Sequence, residues 1–397
     1  MLNNLINRIV LMIVAISCNT NKQDTSLSSE YPIIIDINEA LRNKIDYMLS
    51  DIIDSISYLP VESIIDDYVT SIDPNNLKIG NKYILTADYF SKDLLLYNIN
   101  GKFIRKLAQK GQGPGEYIFL DDLAIDEQNE MVYVLCRNKR KIFKYSLEGS
   151  FLGEIILKHH ADRIVISPSG RLLIHFLNTG DLHDSFLLLD HKGDTITKHL
   201  NGIFYPRIIE SNPPYYNDNA FYYIYNDKIH IKDRRDTLFI VENDKFLPKY
   251  VFHTGENLSN NMTELEFDNK IRFRYIFETD GKVLFEFRLK EKWHRGYYDK
   301  KQSKSFTSRE VAIINDMDDT NKGIFRIEKS DIRSFGFIYS DYQFNDVIII
   351  RRNSEFDMDV LKQRVSASKF LEINTMLDSL LLEDDDPVIL SFLHLKK

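Results

Sequence analysis

A spaced repeat of short apolar runs and glycine turns restricts the fold of this chain more than any other sequence feature. Three segments share the order strand, polar turn, strand, glycine turn and strand, with turn glycines at Gly101, Gly149 and Gly193. These glycines lie 48 and 44 residues apart, close to the ~40–50 residues of one four-stranded propeller blade. Apolar and polar residues alternate within the runs, as in half-buried strands. The repeat predicts an all-β propeller.

The rest of the chain continues the strand pattern less regularly. Strand-like runs recur at 229–232, 283–287 and 347–350. The 25 Phe and 22 Tyr residues also favour strands over helices. Residues 31–357 have room for roughly six blades at this period, so we expect a six-bladed β-propeller.

The last forty residues follow a different pattern. Apolar residues recur at helical intervals between Met358 and Asp384, and an apolar strand follows at 388–395. We therefore expect residues 358–397 to form a C-terminal helix and strand packed on the propeller. Either the terminal strand or the run 33–37 is able to close the ring, and the sequence does not choose between them.

The N-terminus has the pattern of an export signal. The apolar run 9–16 follows Arg8 and is too short to cross a bilayer core of ~30 Å as a helix. The run ends in Ala15-Ile16-Ser17-Cys18, which resembles the lipobox of bacterial lipoproteins. The resemblance implies that 1–17 is a lipoprotein signal peptide, that Cys18 is acylated and that 18–30 is a polar tether. The alternative is an ordinary secretory signal with an incidental cysteine.

Charge and cysteine content exclude several classes of protein. Lys plus Arg is 51 and Asp plus Glu is 59, a formal net charge of −8, which argues against a nucleic-acid partner. The chain has two cysteines and no CxxC pair, so neither a disulfide framework nor a cysteine zinc site is expected. Cys136 ends the apolar run 131–136 and is expected to be a buried strand thiol.

One glycine-rich stretch carries a family resemblance. Residues 101–117, which end in GQGPGEY, precede Asp121-Asp122 and resemble the signature of the six-bladed β-propeller lipoproteins of Bacteroidota, which are similar to NHL-repeat and TolB-like propellers. Weaker matches lie at 59–62, 315–318 and 386–388. The resemblance implies an exported, lipid-anchored propeller at an outer or periplasmic membrane face, in the cell envelope, and it implies no particular reaction.

Two segments resemble ligand loops only in part. The run from Gly111 to Glu116 lacks the last glycine of a dinucleotide loop and the Gly-Lys-Ser/Thr of a P-loop, so we expect its glycines to make the crossing between blades. The acidic run 316–321 lacks the glycine and the glutamate of an EF-hand. No cofactor is predicted, although Ca²⁺ or another divalent ion in a different kind of oxygen site stays open.

An enzymatic function would require histidines that are scattered along the sequence to converge on one site. In lyases among NHL-like propellers, histidines around the central channel hold a metal, and the resemblance implies such a site here only if several histidines converge. The candidates are His159, His160, His175, His230 and His294. No serine-hydrolase elbow or zinc-protease motif occurs, so whether the protein is an enzyme stays open.

Aromatic and basic residues are concentrated between positions 204 and 298. Exposed Tyr and Trp rings stack on sugars or grip peptides, and Arg binds carboxylates. The residues expected to bind a ligand from loops at one end of the propeller are Tyr215, Tyr216, Arg272, Arg274, Tyr275, Trp293 and Arg295. Packing between blades is the alternative use of the same side chains.

The sequence therefore predicts a lipid-anchored binding module whose central channel and loop face take a glycan, a peptide or an envelope protein. A metal-assisted lyase or hydrolase in the central funnel is the first alternative, and a TolB-like assembly partner is the second. The chain is expected to meet the membrane through its lipid anchor only.

Overall fold

The computed structural model describes most of the chain from residue 32 onward. The residues outside its description are 1–31, 177–183, 201–220, 233–235, 256–270, 310–342, 345–346, 353–370, 372–374, 376–387 and positions 63, 66, 67, 70, 71, 89, 109, 114, 168, 291 and 397. The expected signal peptide, Cys18 and the whole of the expected tether thus lie outside the described residues. Pro32–Lys397 forms one compact unit.

The N-terminal segment contains several short elements. They are β1 (Ile33–Asp36), α1 (Ile37–Arg42), β2 (Lys44–Ile45), a 3-10 turn (Leu49–Asp51), β3 (Ile53–Val61), β4 (Ile64–Ile65) and β5 (Tyr68–Val69). Asp36 caps α1, because its Oδ1 accepts hydrogen bonds from the backbone N–H groups of Asn38 at 2.8 Å and Glu39 at 3.1 Å.

Four-stranded antiparallel sheets follow. The first contains β6 (Ile72–Ile79), β7 (Tyr83–Asp88), β8 (Leu94–Asn98) and β9 (Phe103–Ala108). The second contains β10 (Asp122–Asp126), β11 (Met131–Cys136), β12 (Lys141–Ser146) and β13 (Phe151–Ile156). The third contains β14 (Ala161–Ile166), β15 (Leu172–Phe176), β16 (Asp184–Leu189) and β17 (Thr195–Leu200).

The second half of the chain repeats the same order. One run contains β18 (Phe221–Tyr225), β19 (Lys228–Lys232), β20 (Thr237–Glu242) and β21 (Lys245–His253). The next contains β22 (Arg272–Glu278), β23 (Lys282–Leu289), β24 (Lys292–Asp299) and β25 (Lys304–Ser308). The last strands are β26 (Gln343–Phe344), β27 (Val347–Arg352) and β28 (Val388–Leu395).

The N-terminal strands complete sheets formed later in the chain. β1 pairs in parallel with β21, and β2 pairs in parallel with β25. β3 pairs antiparallel with β28, from Val61 opposite Val388 to Ile53 opposite Leu395. The predicted terminal strand 388–395 is confirmed, and it pairs with β3, while the other candidate for closing the ring, the run at 33–37, provides β1 and pairs with β21. The terminal strand lies inside a sheet, between β27 and β3. Of the predicted C-terminal helix, only Leu371 and Thr375 are described, and both are helical.

Successive sheets pack face to face through shared apolar cores. Leu96 of the first sheet packs with Val134 of the second, and Ala124 of the second packs with Ile174 of the third. First strands adjoin one another, as in the contacts between β6 and β10, β10 and β14, and β18 and β22. Val61 of β3 packs with Tyr97 of the first sheet, so the two ends of the sheet series meet. This arrangement is an all-β propeller.

The turn glycines of the repeat have the backbone that the pattern requires. Gly101, Gly149 and Gly193 have φ values of 80°, 89° and 96°, a region that L side chains rarely adopt. At Gly149, a Cβ would also lie 3.0 Å from the carbonyl oxygen of Leu107 in the preceding sheet. The prediction that these glycines make the hairpin turns is confirmed.

Candidate functional site

The two ends of the sheets carry connections of different length. Connections from first to second strands, and from third to fourth strands, have two to five residues. The other connections leave the opposite ends of the strands, because neighbouring strands are antiparallel. They include 109–121, 201–220, 254–271, 309–342 and 353–387. We call this opposite end the loop-bearing end, and in a propeller it forms one face.

Four first strands meet in a buried polar group that we call the channel cluster: Lys78, Asp122, Ile164 and Tyr222. Lys78 Nζ lies 2.9 Å from Asp122 Oδ1 and donates to the Tyr222 hydroxyl at 3.0 Å. Asp122 Oδ2 accepts the Ile164 backbone N–H at 2.8 Å. The Tyr222 hydroxyl donates to the Ile164 carbonyl at 3.4 Å. Because first strands line the channel of a propeller, this cluster lies at its centre.

Burial and neighbouring charges set the protonation states of the channel cluster. Burial lowers the pKa of Lys78, but Asp122 and Tyr222 raise it by more than burial lowers it. The net pKa therefore lies above its usual value, and the ammonium stays charged. Burial raises the pKa of Tyr222 and keeps its hydroxyl neutral. Arg163 of β14 lowers both pKa values, so a second cation lies nearby. Lys78 and Asp122 neutralise each other, and Arg163 adds a positive charge beside them, which favours a ligand with anionic or hydroxyl groups.

A second polar group lies at the loop-bearing end, between the second and third sheets. Asp162 occupies a β-bulge of β14 beside His175 of β15, and Arg137 Nη2 donates to its Oδ1 at 2.7 Å. Asp162 Oδ2 lies 3.7 Å from His175 Nδ1, and neither atom has a hydrogen-bond partner among the described residues. Burial raises the pKa of Asp162, but His175 and two arginines bring it below its usual value.

Glu278 is the centre of a third cluster, between the sheets of β18–β21 and β22–β25. Its carboxylate accepts hydrogen bonds from Lys249 at 2.9 and 3.0 Å, from Lys300 at 2.8 Å, from Tyr223 at 3.0 Å and from Tyr250 at 2.6 Å. Burial raises the pKa of Glu278, but the cations around it lower it to about 2. Both oxygens of the Glu278 carboxylate have hydrogen-bond donors within the protein, so this cluster is a structural contact between two sheets and not a ligand site.

His230 completes the Glu278 cluster as a neutral imidazole. Its Nε2 accepts from Lys249 Nζ at 2.8 Å, so its Nδ1 carries the proton and donates to the Lys228 carbonyl at 3.1 Å. Burial, and then Lys249, lower the pKa of His230 to about 3. The ring stacks on Tyr223 with centroids 4.6 Å apart. A histidine held in this way is part of the packing between the two sheets.

The residues predicted to bind a ligand divide into two groups. Tyr215 and Tyr216 lie outside the described residues. The expectation that the others lie on loops is wrong, because all five are in strands: Arg272, Arg274 and Tyr275 in β22, and Trp293 and Arg295 in β24.

Two of these five are buried by sheet packing. Tyr275 is 5% exposed and stacks on Phe277. Arg295 is 1% exposed and forms an ion pair with Glu286 of the neighbouring strand. They were expected to be exposed, and that is wrong because both lie on strands whose faces pack within the apolar core of the blades.

Arg272 and Arg274 lie at the beginning of β22, where the position of a strand residue along the channel is known. Arg272 is the first residue of β22, and Arg274 occupies a register shift two residues later. A first strand begins at the loop-bearing end, so both positions lie at the same end of the propeller as Asp122 and Tyr222. Trp293 is half-buried in β24. A role in ligand binding stays a prediction for all seven residues.

The channel cluster was missed by sequence reasoning. Lys78 and Tyr222 each stand in an ordinary strand pattern, and nothing local marks them as partners 144 residues apart. Asp122 had one signal, since it follows the GQGPGEY stretch as the start of a strand.

The histidines do not gather into one site. His175 lies beside Asp162, His230 belongs to the Glu278 cluster, and His294 stacks on Phe287 with centroids 5.1 Å apart. In the part of the chain that the structure describes, no group of three or more His, Cys, Asp or Glu side chains is placed to hold a metal. The acidic run 316–321 lies outside the described residues.

The GQGPGEY stretch is held by hydrogen bonds within it and to residues of neighbouring segments. Glu116 Oε2 accepts the Gly113 backbone N–H at 2.8 Å, and the Tyr145 hydroxyl donates to the Gly115 carbonyl at 2.7 Å. The buried Tyr117 hydroxyl donates to the Lys92 carbonyl. Gly115 has a φ of 76°. These contacts support the expected role in crossing from the first sheet to the second, although Pro114 lies outside the described residues.

No helix within the described residues has the length and apolar character that crossing a membrane requires.

Comparison with known proteins gives the family. The model of a family described as a domain of unknown function, DUF4934, matches residues 32–390. The chain belongs to this family. None of the curated proteins compared with it matches.

Solved structures support the fold. A candidate exported protein from Bacteroides fragilis is 17% identical, with a TM-score of 0.58, and the match covers 92% of this chain and 99% of that one. BamB from Moraxella catarrhalis is 11% identical, with a TM-score of 0.40, over 64% of this chain and 67% of that one. A DUF4221 member from Bacteroides vulgatus is 12% identical, with a TM-score of 0.37, over 64% and 84%. Only the first match is strong enough to support the fold.

Proposed function

We propose that this protein is a binding module of the cell envelope, which holds a glycan, a peptide or an envelope protein at the loop-bearing end of its central channel. The observation that carries the proposal is the channel cluster, in which Lys78, Asp122 and Tyr222 join the first strands of separate sheets. Asp122 and Tyr222 stand at the loop-bearing starts of β10 and β18, and Lys78 reaches them from near the end of β6. Binding residues commonly lie on long connections over a rigid scaffold. We expect no nucleic-acid partner.

The proposed blade count follows the strand order. Five sets of four strands run from β6 to β25, and β26, β27, β28 and β3 follow as a sixth set, which the parallel pairing of Ile224 with Phe344 joins to β18. We propose a ring of six blades in which β3, from the N-terminal segment, is the outermost strand of the last blade. Packing of Val61 against the first sheet supports this closure.

The proposed location is the bacterial cell envelope, at the outer or the periplasmic face of a membrane. The signal-like residues 1–17 support export, and so does the fold likeness to a candidate exported protein. Cys18 is proposed as the lipid anchor and as the means of membrane attachment. Cys18→Ala should abolish labelling of the chain by a fatty-acid analogue, whereas Cys136→Ala, at a buried cysteine, should leave labelling intact. Labelling of the Cys18 variant would refute the anchor.

Thermal unfolding of the protein with a panel of glycans and peptides tests the binding function. A ligand that binds only the folded state stabilises it by about 2.7 kcal/mol at a hundred times its dissociation constant, so a binder raises the midpoint. If no glycan or peptide shifts the midpoint, small-molecule binding is refuted. Co-purification of one envelope protein would then favour the TolB-like assembly role.

A metal-assisted lyase or hydrolase is the second candidate function. The observation in its favour is the pair Asp162 Oδ2 and His175 Nδ1, which are buried and lack hydrogen-bond partners among the described residues. Carboxylate and imidazole are both ligands of divalent ions. This candidate predicts a lower unfolding midpoint with a chelator and rescue by one ion, such as Ca²⁺ or Zn²⁺, in the parent chain and not in His175→Gln. An unchanged midpoint would refute it.

A further inference from the structure

The sheet of β22–β25 carries a partly buried arginine at its loop-bearing end. Arg288 is the next-to-last residue of β23, and β23 connects to β24 at that end. Its side chain is partly exposed, but its Nε is buried and has no hydrogen-bond partner among the described residues. A charged donor that is buried without an acceptor lowers stability, and a bound anion is one of the groups that satisfy it.

The described surroundings of Arg288 are positively charged. Glu286 precedes Arg288 by two residues and therefore lies on the same face of the sheet. Its carboxylate forms an ion pair with Arg295 of β24, and both side chains are 1% exposed. Lys290 and Lys292 are exposed at the hairpin that joins β23 to β24. An anionic ligand is thus attracted to this end of the sheet.

Trp293 stands next to Arg288 on the neighbouring strand. The two residues are directly opposite each other in the pairing of β23 with β24, and the Cβ atoms of such a pair are about 4.5–5.5 Å apart on one face. Trp293 is half-buried. On the other side, Arg272 of β22 is the register partner of Arg288. An indole and a guanidinium therefore lie side by side at the loop-bearing end.

We propose that Arg288 and Trp293 bind a uronic-acid residue of an acidic glycan. This inference rests on the proposed binding function and names its ligand. The carboxylate of a uronic acid is bonded directly to a rigid ring, so it reaches the exposed part of the guanidinium while the ring packs on the indole. The negative charge compensates the guanidinium for the water that it loses on burial. An acidic side chain of a peptide is flexible and brings no such ring to the indole.

Fluorescence of Trp293 measures binding directly, because Trp293 is the single tryptophan of the chain. The full chain in a mild detergent is titrated with oligomers of galacturonate, of glucuronate and of mannuronate, and with the methyl ester of each. One of the acids should change the emission to saturation. Its ester should bind at least about tenfold more weakly, because it keeps the ring and lacks the charge.

Arg288→Gln should also weaken binding of the acid at least about tenfold. Its unfolding midpoint should not fall below that of the parent chain, because the substitution removes a buried donor that has no acceptor among the described residues. Lys301→Gln is the matched control, since Lys301 is an exposed cation in the turn between β24 and β25, at the opposite end. It should bind as the parent chain does.

Esters that bind as tightly as the acids, or an Arg288→Gln variant that binds as the parent does, would overturn the uronic-acid assignment and leave the binding function standing. Saturation by poly-glutamate without a response to any uronate would also overturn it, in favour of an acidic peptide. No response of Trp293 to any of these compounds would refute the site, and the binding function falls with it only if the wider panel of glycans and peptides leaves the unfolding midpoint unchanged.

Discussion

His230 is predicted to make this fold sensitive to mild acid. In the folded chain its Nε2 accepts a hydrogen bond from the Lys249 ammonium at 2.8 Å, so a proton on Nε2 would break that bond and place two cations together. Lys300 also opposes the charge, whereas Glu278, 3.5 Å away, and the hydrogen bond to the Lys228 carbonyl favour it. Burial and Lys249 accordingly lower the pKa of His230 from 6.5 to about 3.

The size of the effect follows from proton linkage. The folded-state pKa lies below that of the unfolded chain, so the unfolded chain binds the proton first as the pH falls. The free energy of unfolding is therefore fully retained above about pH 6.5 and falls between about pH 6.5 and pH 3. At about pH 5 the loss from His230 alone is ~2 kcal/mol. Glu278, with its pKa lowered to about 2, loses its contribution mainly below about pH 4.5.

Urea unfolding at about pH 7.5 and about pH 5 measures this loss. His230→Gln removes the titrating group, so the drop in unfolding free energy between the two conditions should be ~2 kcal/mol smaller than in the parent chain. His191→Gln is the control, because His191 is exposed in the turn after β16, and it should show the parent's drop. Equal drops in the parent and in His230→Gln would refute the reasoning.

Three further predictions concern packing, turns and closure. Lys78→Met leaves Asp122 buried without its cation and should cost about 3–5 kcal/mol in urea unfolding; a loss under about 1 kcal/mol would contradict the ion pair. Gly149→Ala should cost about 1–2 kcal/mol, because φ is 89° and the Leu107 carbonyl lies 3.0 Å from the new Cβ; an unchanged midpoint would contradict this backbone. Deletion of 388–397 removes the partner of β3 and should prevent cooperative unfolding by calorimetry, whereas a sharp transition would contradict closure by β28.

The features predicted from sequence are those that local chemistry sets. Gly101, Gly149 and Gly193 were recognisable because a turn that needs positive φ requires glycine where it stands. The strand at 388–395 was recognisable from its apolar run. Its partner was not, because the pairing of Val388 with Val61 joins opposite ends of the chain, and no local pattern records that choice.

The candidate site depends on the same long-range geometry. Arg295 and Tyr275 looked like parts of a binding surface because composition does not show which side chains are buried. In the structure Arg295 is buried and paired with Glu286 of the neighbouring strand. Lys78 and Asp122 become partners only when first strands of successive sheets lie side by side. Sequence reasoning identified Arg272 and Arg274 as candidates, but their place at the loop-bearing end came from the strand order.

The most direct test of the proposed function is the affinity of the panel compound that raises the unfolding midpoint, measured by titration calorimetry on matched variants. Arg272→Ala with Arg274→Ala removes two cations at the loop-bearing end, and Lys301→Ala removes an exposed one from the turn between β24 and β25, at the opposite end. A site at the loop-bearing end predicts that the first variant binds at least about tenfold more weakly without a change in its unliganded midpoint, while the second binds as the parent does. Unchanged affinity in the double variant, or weakening in Lys301→Ala alone, would contradict it.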